Sequence, residues 1–370
     1  MQSDSITQFP NCQLPMFPQA LHQFLTGATK GDAITQHALT IRRWLRDMGL
    51  KSEIYAEHIH ESVAEEVRPF LTYRPTRQQS HVIYHHSLGS NVADWLLEQS
   101  ARLILIHHNV TPPEFFNRIN PGWTRLTALG QAQLATLRPK TDLALGVSGF
   151  NQRELQAAGY SKTAVVPLVM TQAQYDLPLN ETLAAQLQQM GPKLLFIGRF
   201  SPNKKQEDLV KLLYYLHRIR PDAHLLLVGD RWAIKYDQWV EWLAADLGLS
   251  QFVTLPGKVS QQDMVTYYKT ADLYISMSEH EGFGQPLIES MYLGLPILAY
   301  ASTGIPYTLD KVGVQFHHKN YEQLAELVDI LLSDPPLRQR LITHQRQRVQ
   351  AFLEPQVHQL FTVQLKTLFN

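Results

Sequence analysis

Glu281 and Glu289, with seven residues between them, bracket Gly282-Phe283-Gly284-Gln285-Pro286-Leu287, a glycine-punctuated turn with a carboxylate at each end. Upstream, Leu273-Tyr274-Ile275 reads as a short buried strand. Downstream, residues 285–293 read as a helix whose first turn holds Pro286, a residue tolerated where the amide lacks a partner. The turn therefore lies at a strand's carboxyl end and a helix's amino end. Free backbone N–H groups and the positive end of the helix dipole favour an anion there, and Gly282 and Gly284 let the backbone approach it. The two carboxylates add acceptors for sugar-type hydroxyls on either side. The same spacing also arises by chance, as a solvated acid and an ordinary helix residue, so a second anchor is needed.

Lys193-Leu194-Leu195-Phe196-Ile197 supplies it, a continuous apolar strand that ends in Gly198-Arg199-Phe200-Ser201-Pro202-Asn203-Lys204-Lys205 and runs into a helical pattern over 206–217. Departure of a nucleoside diphosphate develops negative charge, and a planar guanidinium plus an ammonium fixed at a strand end stabilise it. The alternative is a basic first turn facing solvent. Cations at a helix amino terminus oppose the dipole, however, a placement more natural when an anion binds between them.

The Glu-x7-Glu spacing, the Gly-Phe-Gly-x-Pro core and the following Gly294-Leu295-Pro296-Ile297-Leu298-Ala299-Tyr300 resemble the donor-site signature of retaining glycosyltransferases of the GT-B fold, in the family numbered four (glycosyl transferases group 1). The similarity is strong in the carboxyl-terminal half and looser in the amino-terminal half. It implies an α/β protein of two Rossmann-like domains, their parallel sheets facing a central cleft, and transfer of a sugar from a GDP-mannose or UDP-glucose type of donor to a hydroxyl on a glycan, lipid-linked or small-molecule acceptor. Gly198, Arg199 and Lys204 would meet the diphosphate, with Lys205 standing where many relatives carry glycine, so either lysine can be the one that reaches it. Glu281 would face the transferred sugar and Glu289 the ribose. The backbone from Gly282 through Phe283, Gly284, Gln285 and Pro286 to Leu287 would complete the cradle, and Lys258 and Val259 would pair with the base through their backbone. His108, and after it His107, match a histidine beside donor sugar and acceptor; His85 ends a neighbouring strand. Gly31 and Asp32 match a glycine-rich loop near the phosphate, although Asp32 is equally explained as a helix cap, and either histidine pair equally as hydrogen-bonded structural residues. Other activities of the fold, a sugar phosphorylase or a sugar-nucleotide epimerase, and a nucleotide-sugar-binding protein without transfer activity are the alternatives.

The chain has 370 residues, 44% hydrophobic and 18% charged, enough for two cores. Basic and acidic residues balance at 33 each, which excludes a nucleic-acid or polybasic membrane signature in the total. A single cysteine, Cys12, forms no intrachain disulfide, the start Met1-Gln2-Ser3-Asp4-Ser5 lacks a signal-peptide pattern, and no window approaches a membrane span. These point to a cytoplasmic protein, peripheral to the inner face of a membrane if it visits one.

Strand and helix alternate in two blocks. Strands are expected over 21–25, 53–56, 81–84, 102–106, 143–147 and 164–167 with a helix over 33–48, and again over 193–197, 224–228, 252–255, 273–275, 297–299 and 313–316. This recurrence argues parallel sheets with ligands at their strands' carboxyl ends. The divisions are an amino-terminal acceptor domain over 1–170, a linker over 171–190, a nucleotide-sugar domain over 191–353, and a last helix over 354–370 that the resemblance returns to the first domain. Residues 117–140 contain Arg118, Arg125, Arg138 and Lys140 with no acid, beside Trp123, Leu126, Leu129, Leu134 and Leu137. That composition fits a peripheral membrane contact or a buried helix with a basic edge. Sixteen histidines raise the question of a metal, but His81 and His85 lie about 13 Å apart along a strand and no cysteine partners exist. The expectation is no metal and no cofactor, the diphosphate being met by fixed cations.

Overall fold

The computed structural model describes residues 17–75, 80–117, 119–231 and 234–370; Cys12 and Arg118 lie outside them. Strands β1 (Gln23–Ala28), β2 (Ile54–Ile59), β3 (Val67–Pro69), β4 (His81–His86), β5 (Arg102–His107), β6 (Thr141–Gly146) and β7 (Thr163–Val165) form a parallel sheet in the order β3-β2-β1-β4-β5-β6-β7. Strands β8 (Lys193–Ile197), β9 (His224–Val228), β10 (Val253–Gly257), β11 (Leu273–Ser276), β12 (Ile297–Tyr300) and β13 (Val314–Phe316) form a second parallel sheet, β10-β9-β8-β11-β12-β13. Helices link successive strands, and apolar runs such as Leu103-Ile104-Leu105-Ile106 and Leu194-Leu195-Phe196 are buried because both faces are covered. The two Rossmann-like domains expected from the alternation are present.

In each sheet the chain order reverses beside the first strand, between β1 and β4 and between β8 and β11. A crevice opens at such a reversal, at the carboxyl ends of the strands. At and just beyond those ends lie Thr26 to Asp32, His85 and His86, Gly198 and Arg199, and Ser278 to Glu281. Several strands run past their expected ends. β1 continues through Thr26 and Gly27, β4 through both histidines and β5 through His107, because these residues still pair in the sheet and the three histidines are buried.

The segment expected as a linker contains the helix Glu181–Gln188, capped by Asn180. Asn180 Nδ2 also donates to Asp263 at 2.8 Å and its backbone N–H donates to Thr266 Oγ1 at 2.9 Å, so this part packs on the helix Gln261–Thr270. At its other end Met170 N–H donates to Phe352 O at 2.8 Å, where the two passages between domains meet in a single β-bridge. The last helix, Glu354–Phe369, returns to the first domain. Glu354 pairs with Arg43 at 2.5 Å and accepts from Trp44 Nε1 at 2.9 Å, while His358 and Phe361 pack on the Trp44 ring.

In the basic segment, Leu137 is fully buried and Leu134 packs beside it, and Trp123 turns into the cleft. Leu126 and Leu129 remain exposed. Lys140 is tied to the carbonyls of Leu97, at 2.8 Å, and Gln99. The helix Pro121–Leu137 buries one face, through Thr127, Gly130, Gln133 and Leu137. Among the described residues no helix is long and apolar enough to cross a membrane.

Candidate active site

Between the domains lies a cleft of about 780 Å³ with a neighbouring cavity of about 570 Å³; Gly198, Arg199, Asp32, Gln285 and Pro286 line both. Lys204, His108, Glu281, Phe283 and Gly284 line the larger space, and Lys258, Gly31 and Glu289 the smaller. The two motif regions, about eighty residues apart in the chain, are bound to each other. Asn203 Nδ2 donates to His280 O at 2.9 Å, Glu279 N–H donates to Asn203 O at 2.8 Å, and Lys204 Nζ meets Glu281 Oε2 at 2.5 Å.

The helix Gln285–Leu293 opens on Gly284, whose φ of 86° is the left-handed conformation that glycine adopts without penalty. Its amino terminus faces the cleft. Leu287 does not complete the cradle: its N–H donates to Gly284 O at 2.9 Å and its side chain is buried, since the first helical turn closes on itself. Phe283 packs edge-on against Phe352 at 5.5 Å.

Lys205 has φ 57°, left-handed for a residue with a side chain, a conformation that glycine adopts without penalty. Its ammonium lies 3.4 Å from Glu279 and 3.6 Å from Glu207. Burial works against that charge, but the two carboxylates outweigh it and raise its pKa. Lys204, not Lys205, is the lysine on the cleft. Arg199 is exposed and lies over the Trp123 ring of the opposite domain at 5.6 Å. The tryptophan, read from composition as part of an apolar face, is a cleft residue.

Glu289 is buried and accepts hydrogen bonds from Tyr175 and Tyr268, both at 2.5 Å. Burial raises its pKa against the pull of those two hydroxyls. Tyr175 comes from the passage between domains, so sequence distance concealed the contact. Val259 packs into the core beside Lys258 and has no place on either cavity. Asp32 caps the helix Ala33–Asp47 by accepting from Thr35 N–H at 2.9 Å, as its position alone suggested.

The histidine pairs at the ends of β4 and β5 make two separate chains. His86 Nδ1 lies 3.1 Å from His107 Nδ1, and His107 Nε2 lies 3.2 Å from Glu154, which also accepts from Asn109 at 2.8 Å and Asn151 at 3.1 Å. Across the domain boundary, His280 Nε2 lies 2.5 Å from Asn109 Oδ1. His107 is therefore turned away from the cleft, and His85 lies behind His108 at 2.9 Å. His37, four residues into the first helix, joins His85 and His108 so that one nitrogen of each lies within 4.8 Å of the others. Spacing along the chain gave no sign of this group, because three elements contribute one histidine each. Burial favours the uncharged form of Glu154, but His107, Asn109 and Asn151 outweigh it and depress its pKa. Its ionised form therefore adds stability above the ordinary carboxylate range, lost as pH falls through the depressed value. Glu154→Gln is expected to flatten the acid limb of a denaturation profile; an unchanged acid limb would show that the His107 contact contributes no linkage.

Residues 182–348 match the family model described as Glycosyl transferases group 1. Among curated proteins, the chain is similar to the GDP-mannose-dependent monoacylated alpha-(1-6)-phosphatidylinositol monomannoside mannosyltransferase of Corynebacterium glutamicum, 26% identical over 245 residues that cover 62% of this chain and 63% of the relative. It is also similar to D-inositol 3-phosphate glycosyltransferase of Mycobacterium sp. (strain KMS), 31% identical over 149 residues, 39% of this chain and 33% of the relative. The matched stretches thus span less than two thirds of these relatives. Anabaena Alr3699/HepE, solved in complex with UDP-glucose, superposes with a TM-score of 0.74 at 18% identity, covering 94% of this chain and 100% of that one. Sucrose-phosphate synthase from Thermosynechococcus elongatus gives 0.72 at 19%, covering 94% and 99%. At such identities the likeness is one of fold.

Proposed function

Because residues 182–348 belong to the glycosyl transferases group 1 family, in a chain with the GT-B fold, we propose that this protein is a retaining, metal-independent glycosyltransferase, moving a sugar from a nucleoside diphosphate sugar to a hydroxyl acceptor. The observation that supports it most directly is the convergence of Lys204, Arg199 and the amino terminus of the helix Gln285–Leu293 on one cleft, with Glu281 at 2.5 Å from Lys204. The diphosphate lies against the two cations and the helix end, the ribose toward Glu289 and the base toward Lys258. In the resting site Glu281 occupies Lys204. With donor bound, Lys204 turns to the phosphate and Glu281 accepts a hydroxyl of the sugar.

The acceptor oxygen bonds to the anomeric carbon on the face from which the diphosphate leaves. The bond from that carbon to the phosphate oxygen breaks with both electrons going to the oxygen, and the acceptor's proton passes to the departing phosphate. Such a reaction needs anion stabilisers and close positioning more than a dedicated carboxylate base. The mannosyltransferase relatives make GDP-mannose the first donor to try, with UDP-glucose second. The acceptor is a glycan, a lipid-linked glycan or a small polyol, reached at a cytoplasmic membrane face where it is lipid-linked.

A nucleoside diphosphate at about 100 times its dissociation constant adds roughly 2.7 kcal/mol to stability. A thermal-shift series with GDP, UDP and ADP compounds, followed by transfer assays in EDTA, tests the proposal. One nucleotide is expected to raise the melting temperature, and transfer is expected to survive chelation. No shift with any of them at millimolar concentration removes the donor site, and activity abolished by EDTA and restored by magnesium or manganese removes metal independence.

A further inference from the structure

The turn that follows β11 is fixed at each of four successive residues through its backbone. Glu279 N–H donates to Asn203 O at 2.8 Å, His280 O accepts from Asn203 Nδ2 at 2.9 Å, Glu281 N–H donates to Thr303 Oγ1 at 2.8 Å, and Gly282 O accepts from Ser148 Oγ at 2.6 Å. A turn held in this way transmits the position of one side chain to its neighbour. Glu281 meets Lys204 on the cleft, whereas the side chain of His280, only 5% exposed, enters the opposite domain. There it meets Phe115 from the turn Pro113–Phe115 and Phe150 from the helix Gly149–Ala157, with ring centroids 6.1 and 5.9 Å away, and Asn109 Oδ1 at 2.5 Å.

The polarity of that last bond follows from the residue behind it. The Glu154 carboxylate accepts from Asn109 Nδ2 at 2.8 Å, so the amide oxygen is the atom left to face His280. That oxygen only accepts, and His280 Nε2 therefore bears a proton. Burial lowers the pKa of His280, so at neutral pH the ring carries that one N–H and commits it to Asn109. Glu154 is held in turn by Asn151 Nδ2 at 3.1 Å, and Asn109 stands between its two partners in a left-handed conformation, φ 81°.

We infer that His280 is a positioning residue: seated in the socket of Asn109, Phe115 and Phe150, it sets Glu281 and the sugar beside it in register with an acceptor held by the first domain. The inference rests on the glycosyltransferase reading and adds to it the contact that relates one substrate to the other. With the donor on the second domain and the acceptor on the first, neither binding site alone determines the distance between the reacting atoms. Water needs no such register. In donor hydrolysis its oxygen bonds to the anomeric carbon, the bond from that carbon to the phosphate oxygen breaks with both electrons going to the oxygen, and a proton of the water passes to the departing phosphate. Loss of register therefore slows transfer more than hydrolysis, whereas loss of folded protein slows both alike.

Donor consumption and transfer are measured together on the full chain, with GDP-mannose or UDP-glucose as donor and octyl mannoside or octyl glucoside as acceptor probe. His280→Leu keeps an apolar side chain in the socket and loses the N–H. It is expected to lower transfer about ten-fold, the scale of one hydrogen bond, to raise the ratio of hydrolysis to transfer, and to leave GDP and UDP affinity unchanged. His280→Gln, whose amide N–H can reach Asn109, should recover most of the loss. Two readouts need no turnover. Nitrogen-15 NMR of the histidine-labelled chain should show a protonated Nε2 at His280, and small-angle scattering should show the domains farther apart in His280→Leu than in the wild type. A bare Nε2, an unchanged separation, a wild-type ratio of hydrolysis to transfer in His280→Leu, a His280→Gln no better than His280→Leu, or nucleotide affinity lost with the imidazole would each overturn the inference. A wild type that binds no nucleotide and consumes no donor, with the protonated Nε2 and the change in separation as expected, would instead overturn the glycosyltransferase reading.

Discussion

Lys204→Ala and Arg199→Ala are each expected to lower turnover by about two orders of magnitude or more, the scale of losing one electrostatic stabiliser of a transition state. The geometry sharpens what else should change. Lys204 is paired with Glu281 at 2.5 Å and both side chains are largely buried, so removing the lysine leaves a carboxylate without its partner. Glu281→Gln should impair turnover while nucleoside diphosphate affinity is mostly kept, since its proposed partner is the sugar. Glu289→Ala should weaken the nucleotide itself and release the hydroxyls of Tyr175 and Tyr268. Lys205→Ala, by contrast, removes ion pairs with Glu207 and Glu279 that lie off the cleft, and should act on stability more than on rate. Steady-state turnover beside nucleotide calorimetry separates these variants. Wild-type turnover in Lys204→Ala, Arg199→Ala, Glu281→Gln and Glu289→Ala together would remove the proposed function, and a silent Lys204→Ala with a slow Lys205→Ala would shift the loop by one residue.

A single methyl group at Gly282 should be comparably damaging for a different reason. A Cβ there would lie 2.5 Å from Asn109 Cβ and 2.7 Å from His108 O, and the second of these is backbone on the opposite domain. Ser148 Oγ donates to Gly282 O at 2.6 Å across the same junction, and His280 reaches Asn109 beside it. Asn109 has φ 81° and little room to yield. Gly282→Ala is therefore expected to hold the domains apart, and a misplacement of about 1 Å between reacting groups costs on the order of a hundred-fold. Nucleotide affinity should stay near that of the wild type, because the residues proposed to hold the diphosphate, ribose and base come from the second domain. Turnover and calorimetry, with small-angle scattering for the domain separation, provide the check. Wild-type turnover in this variant would mean that the close approach has no part in transfer.

The sequence was most legible where one local segment supplies both element and chemistry. The helix after Gly284, the strand before Gly198 and the cap at Asp32 are each set by a few adjacent residues, through the left-handed glycine, the apolar run and the Asp-to-Thr35 bond. The ends of β1, β4 and β5 were harder to place, because polar residues, among them the buried histidines of β4 and β5, interrupt the apolar pattern without ending the strand. Least legible were groups assembled from distant elements. His37, His85 and His108, or Tyr175 with Tyr268 and Glu289, converge only once helices and sheets have packed, and no spacing along the chain encodes that meeting. Position within the loop distinguished the two lysines only in three dimensions, where the left-handed backbone at Lys205 turns its side chain toward Glu207 and Glu279.

The returning helix Glu354–Phe369 also orders events during synthesis. Domains generally fold as units while the chain emerges, the amino-terminal one first. Here the face of the first domain around Trp44 is covered by Phe361 and His358, and Val357 and Leu365 are buried with them. None of these residues exists until the whole second domain has been translated. The first domain therefore waits on the ribosome with an apolar seam open, and its last folding step coincides with the completion of the second. A chain built this way joins its two halves in the same event that finishes the first of them.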